Sequence, residues 1–167
     1  KYYPWDFAVN ILYQKQYINK KFNYFSLNAD EIDKGLTTLK RIGFDITKKF
    51  VVIHIREDGY NNKYNKNHAV RNSDPSSYLK AIKFLISEGI NVVRVGDKSM
   101  TKLPKLDGFF DYAHSDVKSD FMDVFLAGKC IFCIGTSSGY YHIPMFFDRP
   151  ILLLNCVPLA PVLSLNE

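Results

Sequence analysis

Two groups of side chains that suit phosphate binding follow apolar runs in this sequence. Arg56 ends the run Phe50–Arg56, and a turn of Gly, Thr and Ser residues, Gly135–Gly139, follows Ile131–Ile134. An arginine pairs with phosphate oxygens through two parallel hydrogen bonds. A hydroxyl-rich turn that enters a helix adds free backbone N–H groups and a positive dipole end. The sequence therefore predicts a site for the diphosphate of a nucleotide or a nucleotide sugar. The residues predicted to bind this diphosphate are Arg56, Thr136, Ser137, Ser138 and Gly139.

Hydrophobic patterning predicts the elements that position these groups. Strands that alternate with helices form a parallel sheet with right-handed crossovers, and ligands bind at the carboxyl ends of its strands. We expect an α/β domain, a Rossmann-like parallel sheet flanked by helices, over residues 29–167, preceded by an irregular segment or domain remnant, residues 1–28. The predicted strands are Phe50–Arg56, Asn91–Gly96, Phe109–Tyr112, Ile131–Ile134 and Ile151–Leu154. The predicted helices are Asp30–Ile42, a helix from Asp74-Pro75 that Gly89 ends, Ser119–Ala127 and Ser138–Phe147. Pro144 must lie near the start of the last helix or kink it.

His54 lies two residues before Arg56, so both side chains are predicted on the same face of their strand. Arg56 at a carboxyl strand end is interpreted as a phosphate clamp, and the alternative is a structural salt bridge. His54 is either a contact to the nucleoside or a core histidine bonded to backbone. The turn Gly135–Gly139, called the Ser-rich turn below, has the glycine spacing of neither a P-loop nor a dinucleotide-binding motif. Its alternative role is simply to cap the helix that follows.

Further polar residues end the neighbouring predicted strands. Asp111 could accept a hydrogen bond from a base or ribose and Tyr112 could stack on the base, or both could be solvated loop residues. Gly96 would let a ligand approach the backbone closely. Arg94 could instead pair with Asp97 or Asp111. The predicted nucleoside contacts are His54, Gly96, Asp111 and Tyr112, with Arg94 and Asp97 in support.

Two more residues are candidates for supporting roles. Arg71 lies in the long polar loop Glu57–Ser73, where it could bind a second anion or be one of several solvated charges. Asp123 is the polar member of an otherwise apolar predicted helix, and it could orient the Ser-rich turn or face water.

The composition favours one domain and an anionic partner. The chain has 167 residues and a net charge of +5, which attracts a nucleotide diphosphate or an acidic membrane surface. Among the possible anionic partners, nucleic acid ranks last because the sequence contains no nucleic-acid recognition module. No apolar run approaches the roughly 20 residues that span a bilayer. We expect a cytoplasmic protein, able to associate peripherally with the inner face of a membrane, and a possible fragment because it starts at Lys1.

Cysteine offers no evident chemistry. Three Cys residues argue against a disulfide framework. Cys130 and Cys133 begin a predicted strand rather than a helix, so we interpret them as buried structural residues. The sequence around these cysteines does not supply the four ligands of a zinc site, and no bound metal is predicted.

Five ordered motifs resemble those of bacterial glycosyltransferases from surface-polysaccharide loci, over roughly residues 30–160. The motifs are His54-Ile55-Arg56-Glu57 with Gly59-Tyr60, Arg71-Asn72 before Asp74 and Tyr78, Arg94-Val95-Gly96-Asp97, Asp111-Tyr112-Ala113, and Phe132–Gly139 followed by Pro150 and Asn155. The His-x-Arg strand and the Ser-Ser-Gly turn are also similar to fucosyltransferases of the GT-B fold. The chain departs from their pattern directly after His-x-Arg, where it has Glu57-Asp58-Gly59, so the donor sugar stays open.

The resemblance implies the C-terminal, donor-binding half of a GT-B enzyme that transfers a sugar from a nucleotide sugar to a saccharide or glycolipid acceptor. Arg56 and the Ser-rich turn would hold the diphosphate, and Asp111 and Tyr112 would face the nucleoside. The sequence contains no Asp-x-Asp pair, which favours a metal-independent route without a cofactor. Glu57 and Asp58 are the candidate catalytic carboxylates. The alternatives are a nucleotide-sugar epimerase and a binding module without catalysis.

Overall fold

A computed structural model describes residues 25–58 and 69–156 of the chain. Its helices are α1 (Ala29–Arg41), α2 (Leu79–Ser87), α3 (Asp120–Lys129) and α4 (His142–Phe146). Its strands are β1 (Phe50–His54), β2 (Asn91–Val95), β3 (Phe109–Phe110), β4 (Cys133–Gly135) and β5 (Ile151–Leu153). Short 3₁₀ turns cover Ala69–Arg71, Pro75–Tyr78 and Tyr112–His114.

The five strands form one sheet in the order β3-β2-β1-β4-β5, and every neighbouring pair is parallel. This confirms the predicted α/β fold with a Rossmann-like sheet flanked by helices. The chain proceeds outward from β1 through β2 to β3, and then returns to place β4 on the other side of β1. The order therefore reverses between β1 and β4, and the crevice outside the carboxyl ends of these two strands is where open α/β sheets bind ligands.

Both faces of the sheet are covered by apolar side chains, as a parallel sheet requires. Val52 on one face packs with Leu39 of α1 and Phe125 of α3. Ile53 on the other face packs with Ile82 of α2. All five residues of β1 are buried, which explains the apolar run that precedes His54 in this strand.

Helix starts follow the capping residues in the sequence. Asn28 and Glu31 form a reciprocal capping box at the start of α1, and Ser119 accepts from the Met122 N–H at the start of α3. Asp74 caps the 3₁₀ turn Pro75–Tyr78, so the predicted helix at Asp74-Pro75 begins as 3₁₀ and continues as α2.

Two predicted boundaries are wrong in ways that bear on the site. The predicted strand Phe50–Arg56 ends at His54, so Arg56 lies in the loop beyond β1. The predicted helix Ser138–Phe147 is α4, which spans only His142–Phe146 and has no side-chain cap at Tyr141. Pro144 sits inside α4 and cannot donate an N–H, which explains why the helix is short.

Most of the predicted N-terminal segment 1–28 and the residues Gly59 and Tyr60 of the first motif lie outside the described residues. In the part of the chain that the structure describes, no helix has the length and apolar character to cross a membrane.

Candidate functional site at the ends of β1 and β4

A hydrogen bond joins the chain just beyond β1 to the chain just beyond β4. The Arg56 N–H donates to Thr136 Oγ1 at 2.8 Å, and the Thr136 side chain is fully buried. Thr136, predicted to bind the diphosphate, therefore holds the backbone of Arg56 at the point where the strand order reverses. This hydrogen bond brings Arg56 and the Gly135–Gly139 turn together at the carboxyl edge of the sheet, and their role as diphosphate ligands stays a prediction.

Two arginines lie together at this crevice. The pKa of Arg56 is lowered by burial first and then by the positive charge of Arg71, while Asp58 opposes the shift. The Nε atoms of both arginines are buried without a hydrogen-bond partner among the described residues. The Ser73 N–H donates to the Arg56 carbonyl at 2.9 Å, which keeps the segment that follows Arg71 beside Arg56. A bound anion would relieve the repulsion between the two guanidinium groups.

The loop after β5 supports the same segment. Asn155, in a left-handed conformation with φ of 47°, donates from Nδ2 to the Asn72 carbonyl at 2.9 Å and to Ser73 Oγ at 3.1 Å. The Asn72 side chain in turn donates to the carboxylate of Asp58. Asn72 and Asn155 belong to the motifs described above, which gave neither residue a role. The structure shows that they connect the loops that follow β1 and β5.

The Ser-rich turn contacts His54 rather than the start of a helix. Ser138 Oγ lies 3.1 Å from His54 Nδ1 and accepts from the Tyr140 N–H at 3.3 Å. The Tyr140 ring stacks on the imidazole with centroids 5.5 Å apart and planes at 11°. Gly139 is exposed, and a Cβ there would meet nothing within 4 Å. Since α4 starts at His142, the turn offers hydroxyl and backbone donors without the predicted helix dipole.

His54 is held in its neutral form by its surroundings. Burial first, then the positive charges of Arg94 and Arg56, lower the pKa of His54 from 6.5 to about 4, with Asp97 acting in the opposite direction. The residue is 9% exposed. Of the two predicted roles for His54, the structure therefore favours the core histidine over the ligand contact. One of its ring nitrogens contacts the Ser-rich turn.

Arg94 is the centre of a buried ion network beside this crevice. Its side chain is fully buried and pairs with the carboxylate of Glu57 and, at 3.5 Å, with Asp111 Oδ2. The second oxygen of Glu57 accepts from the Thr101 N–H at 3.0 Å. Both oxygens of this candidate catalytic carboxylate therefore have protein partners. Of the two partners predicted for Arg94, Asp111 is confirmed.

A histidine that the sequence did not single out completes the network. His114 Nδ1 lies 3.0 Å from Asp111 Oδ2, and its Nε2 lies 2.9 Å from the Met100 carbonyl. Its spacing of three residues from Asp111 within a turn was the only signal in the sequence. Asp97, the other predicted partner of Arg94, instead accepts from the Ser99 N–H at 2.8 Å and closes a local turn.

Of the residues predicted to contact the nucleoside, Tyr112 belongs to the core and the half-buried Gly96 packs against Met100. Tyr112 is fully buried, and its hydroxyl exchanges hydrogen bonds with the backbone of Ser119 at 3.0 Å, so its ring offers no open face for stacking. Gly96 has φ of 148°, and a Cβ there would lie 2.0 Å from Met100 Sδ. The space at Gly96 is thus filled by the protein's own side chain rather than left for a ligand.

Asp123 supports the Ser-rich turn through its backbone. The Tyr140 hydroxyl donates to the Asp123 carbonyl at 3.1 Å, which holds the ring that stacks on His54. The Asp123 carboxylate pairs with Lys118 at 3.0 Å. The side chain itself faces Lys118, so a role of the Asp123 carboxylate in orienting the turn stays a prediction.

Residues 25–58 and 69–156 contain no group of three or more His, Cys, Asp or Glu side chains arranged to hold a metal ion. Burial raises the pKa of both Cys130 and Cys133, and both thiols are inaccessible. This agrees with their interpretation as structural residues.

The opposite, amino edge of the sheet carries a cavity of about 280 Å³ that the sequence did not reveal. It is lined by segments that precede β1, β2 and β3, including Phe44, Lys48, Asn91 and Gly108. A smaller cavity of about 140 Å³ shares Phe44 and Lys48 with it. Both lie at the other end of the strands from Arg56, so they are separate from the candidate site.

No protein-family model matches the sequence, and neither does any curated protein. Among solved structures, the chain is similar to E. coli ADP-heptose LPS heptosyltransferase II, with a TM-score of 0.56 at 14% sequence identity. The match covers 80% of this chain and 41% of the heptosyltransferase chain. The five-stranded parallel sheet with its helices thus matches part of a GT-B glycosyltransferase in fold, and this chain spans about two fifths of that enzyme's length.

Proposed function

We propose that this chain is a nucleotide-sugar glycosyltransferase, or its donor-binding part, and that the crevice beyond β1 and β4 holds the donor diphosphate. One observation carries the proposal: the hydrogen bond from Arg56 to Thr136 unites an arginine and a Ser-rich turn where the strand order reverses. The similarity in fold to a GT-B heptosyltransferase supports the same class of reaction.

Arg56 and Arg71 would stabilise the leaving nucleoside diphosphate. Their like charges lie close together, and in the described residues neither Nε has a partner. Guanidinium groups in a partly dehydrated site stabilise developing phosphate charge without a metal ion. Ser137, Ser138 and Gly139 would add hydroxyl and backbone N–H donors from the other wall of the crevice.

The carboxylates at this edge divide into two roles. Glu57 is engaged with Arg94 and Thr101, and we assign it the task of positioning the loop that carries Arg56. Asp58 is exposed and bonded to Asn72, so it stays the candidate general base. Asp111 stays the candidate for the nucleoside because it directly follows β3 at the carboxyl edge; its Oδ1 is buried and has no hydrogen-bond partner in the described part of the chain.

The acceptor in this proposal is a saccharide or glycolipid. In a two-part GT-B active site it would approach the carboxyl edge of the sheet from the side opposite the donor. The described residues provide the donor wall, and a second domain would provide the acceptor wall.

Isothermal titration with UDP, GDP, ADP and CMP, each with and without Mg²⁺, tests the proposal. ADP belongs in the set because the structural relative is named for an ADP sugar. We expect one diphosphate to bind the unaltered chain, and Arg56→Ala to weaken it at least tenfold, since hydrogen bonds to charged groups contribute about 1.5–3 kcal/mol.

Arg41→Ala is the matched control, because Arg41 is an exposed arginine in the last turn of α1. It should bind the nucleotide as the unaltered chain does. Equal losses in both variants would show only a general effect of charge, and a lack of binding by all four nucleotides would contradict the proposal.

A further inference from the structure

The contact between His54 and Ser138 determines what the Ser138 hydroxyl can offer to a ligand. Ser138 Oγ has one proton and two lone pairs. The Tyr140 N–H, 3.3 Å away, uses one lone pair. In the part of the chain that the structure describes, the remaining contact of this oxygen is His54 Nδ1 at 3.1 Å. That contact uses either the second lone pair or the proton.

The two alternatives have opposite consequences for an anion. If Nδ1 accepts, the hydroxyl proton points at the imidazole and a phosphate would meet a lone pair. If Nδ1 carries the proton and donates, both lone pairs are used and the hydroxyl proton is left to point into the crevice. Only the second arrangement makes Ser138 a donor to an anion.

The surroundings fix the imidazole in one orientation. The Tyr140 ring lies nearly parallel to it, and the Tyr140 hydroxyl is tied to the Asp123 carbonyl at 3.1 Å. Burial first, and then the nearby Arg94 and Arg56, disfavour a second proton on the ring. The ring therefore has a single N–H to place.

We infer that His54 is a positioning residue whose Nδ1–H donates to Ser138 Oγ and thereby directs the Ser138 hydroxyl proton toward the bound phosphate. This inference rests on the proposed diphosphate site, and it replaces the predicted direct contact of His54 with the nucleoside. Tyr140 and Asp123 belong to the same arrangement because they hold the imidazole in place.

The tautomer is measured without a ligand. Long-range ¹H–¹⁵N correlation at neutral pH on the chain labelled with ¹⁵N-histidine shows which ring nitrogen carries the proton, and the spectrum of His54→Asn identifies the His54 signals. We expect the proton on Nδ1. A proton on Nε2 would overturn the inference, whatever the chain binds.

Nucleotide affinity provides the second measurement. Ser138→Ala should weaken diphosphate binding about tenfold or less, the range of one hydrogen bond. His54→Leu should cause a similar loss, and the double variant should bind no more weakly than Ser138→Ala alone. His54→Asn should restore binding, because its amide can donate from the position of Nδ1.

Ser87→Ala, an exposed serine at the end of α2, is the control and should bind normally. Additive losses in the double variant would show that His54 acts independently of Ser138 and would overturn the inference. Failure of the unaltered chain to bind any nucleotide would instead contradict the proposed function, while the tautomer result would still decide the direction of the hydrogen bond.

Discussion

His54 shows how burial and charge act together on one residue of this crevice. Its imidazole is buried between Tyr140 and the Ser-rich turn, with Arg94 and Arg56 nearby. Burial first, and then the charges of Arg94 and Arg56, lower the pKa of His54 to about 4 from the usual value of 6.5. Because the folded pKa is lowered, the unfolded chain binds the proton more tightly, and the stability due to neutral His54 is complete above pH 6.5.

Acidification should therefore destabilise the unaltered chain more than a variant without this imidazole. Between pH 6.5 and pH 4 we expect the unaltered chain to lose about 3 kcal/mol of unfolding free energy that His54→Asn does not lose. Urea unfolding at a series of pH values measures the difference. Other carboxylates titrate in both proteins, so only the difference between the two curves reports on His54. Parallel curves would contradict the account.

At the scale of single residues, the sequence predicted which residues lie at the carboxyl edge better than it predicted what their side chains contact. Arg56 was predictable because an arginine after an apolar strand in a parallel sheet lies at the ligand-binding edge. Tyr112 was misassigned, and Met100 beside Gly96 was missed, because the surroundings of both residues depend on Ser119 and Met100, whose packing no local pattern encodes. The role of Glu57 was equally hidden, since its partner Arg94 is distant in sequence.

At the scale of elements, the contact between α1 and α3 depends on the absence of a side chain at Gly35. Gly35 is buried in the middle of α1, and a Cβ there would lie 2.2 Å from two atoms of the Phe125 ring. Phe125 is fully buried in the core cluster on this face of the sheet. The glycine therefore lets α1 approach α3 closely enough to cover that cluster.

We expect Gly35→Ala to destabilise the chain by up to about 2 kcal/mol, the overpacking cost less the gain in helix propensity. Alanine should favour a helix by about 1 kcal/mol over glycine, but overpacking against an aromatic ring in a filled core costs about 1–3 kcal/mol or more. Adding Phe125→Leu should recover part of the loss, because the smaller side chain makes room for the methyl group. Thr37→Ala, at an exposed position of α1, is the control, and chemical denaturation is the measurement. Stabilisation by Gly35→Ala would mean that the helices are not in close contact there.

The elements themselves were largely predictable. Apolar runs located all five strands, most clearly β1, β2 and β4, which the sheet buries on both faces. Caps such as Ser119 and Asp74 located helix starts. The ends of elements were less predictable. α4 is short because Pro144 interrupts the bonding pattern of a sequence that otherwise reads as a longer helix.

At the scale of the whole molecule, the two edges of the sheet differ in character. The carboxyl edge gathers the residues of the proposed donor site, and the amino edge carries the cavities lined by Phe44 and Lys48. The order of the strands could be expected only in general terms, since the crossover that places β4 beside β1 leaves no mark in the sequence. Association with an acidic membrane, expected from the net charge of +5, stays a prediction.

The central claim is that a nucleoside diphosphate binds at the carboxyl edge beside β1 and β4. Backbone amide ¹H–¹⁵N spectra, recorded while UDP, GDP or ADP is added to the labelled chain, test this location directly. The account predicts that signals from residues 54–58, 71–73 and 136–140 shift together as one nucleotide saturates the chain. Shifts confined to residues 42–48 and 106–110 at the amino edge, or no shifts with any of the three, would contradict it.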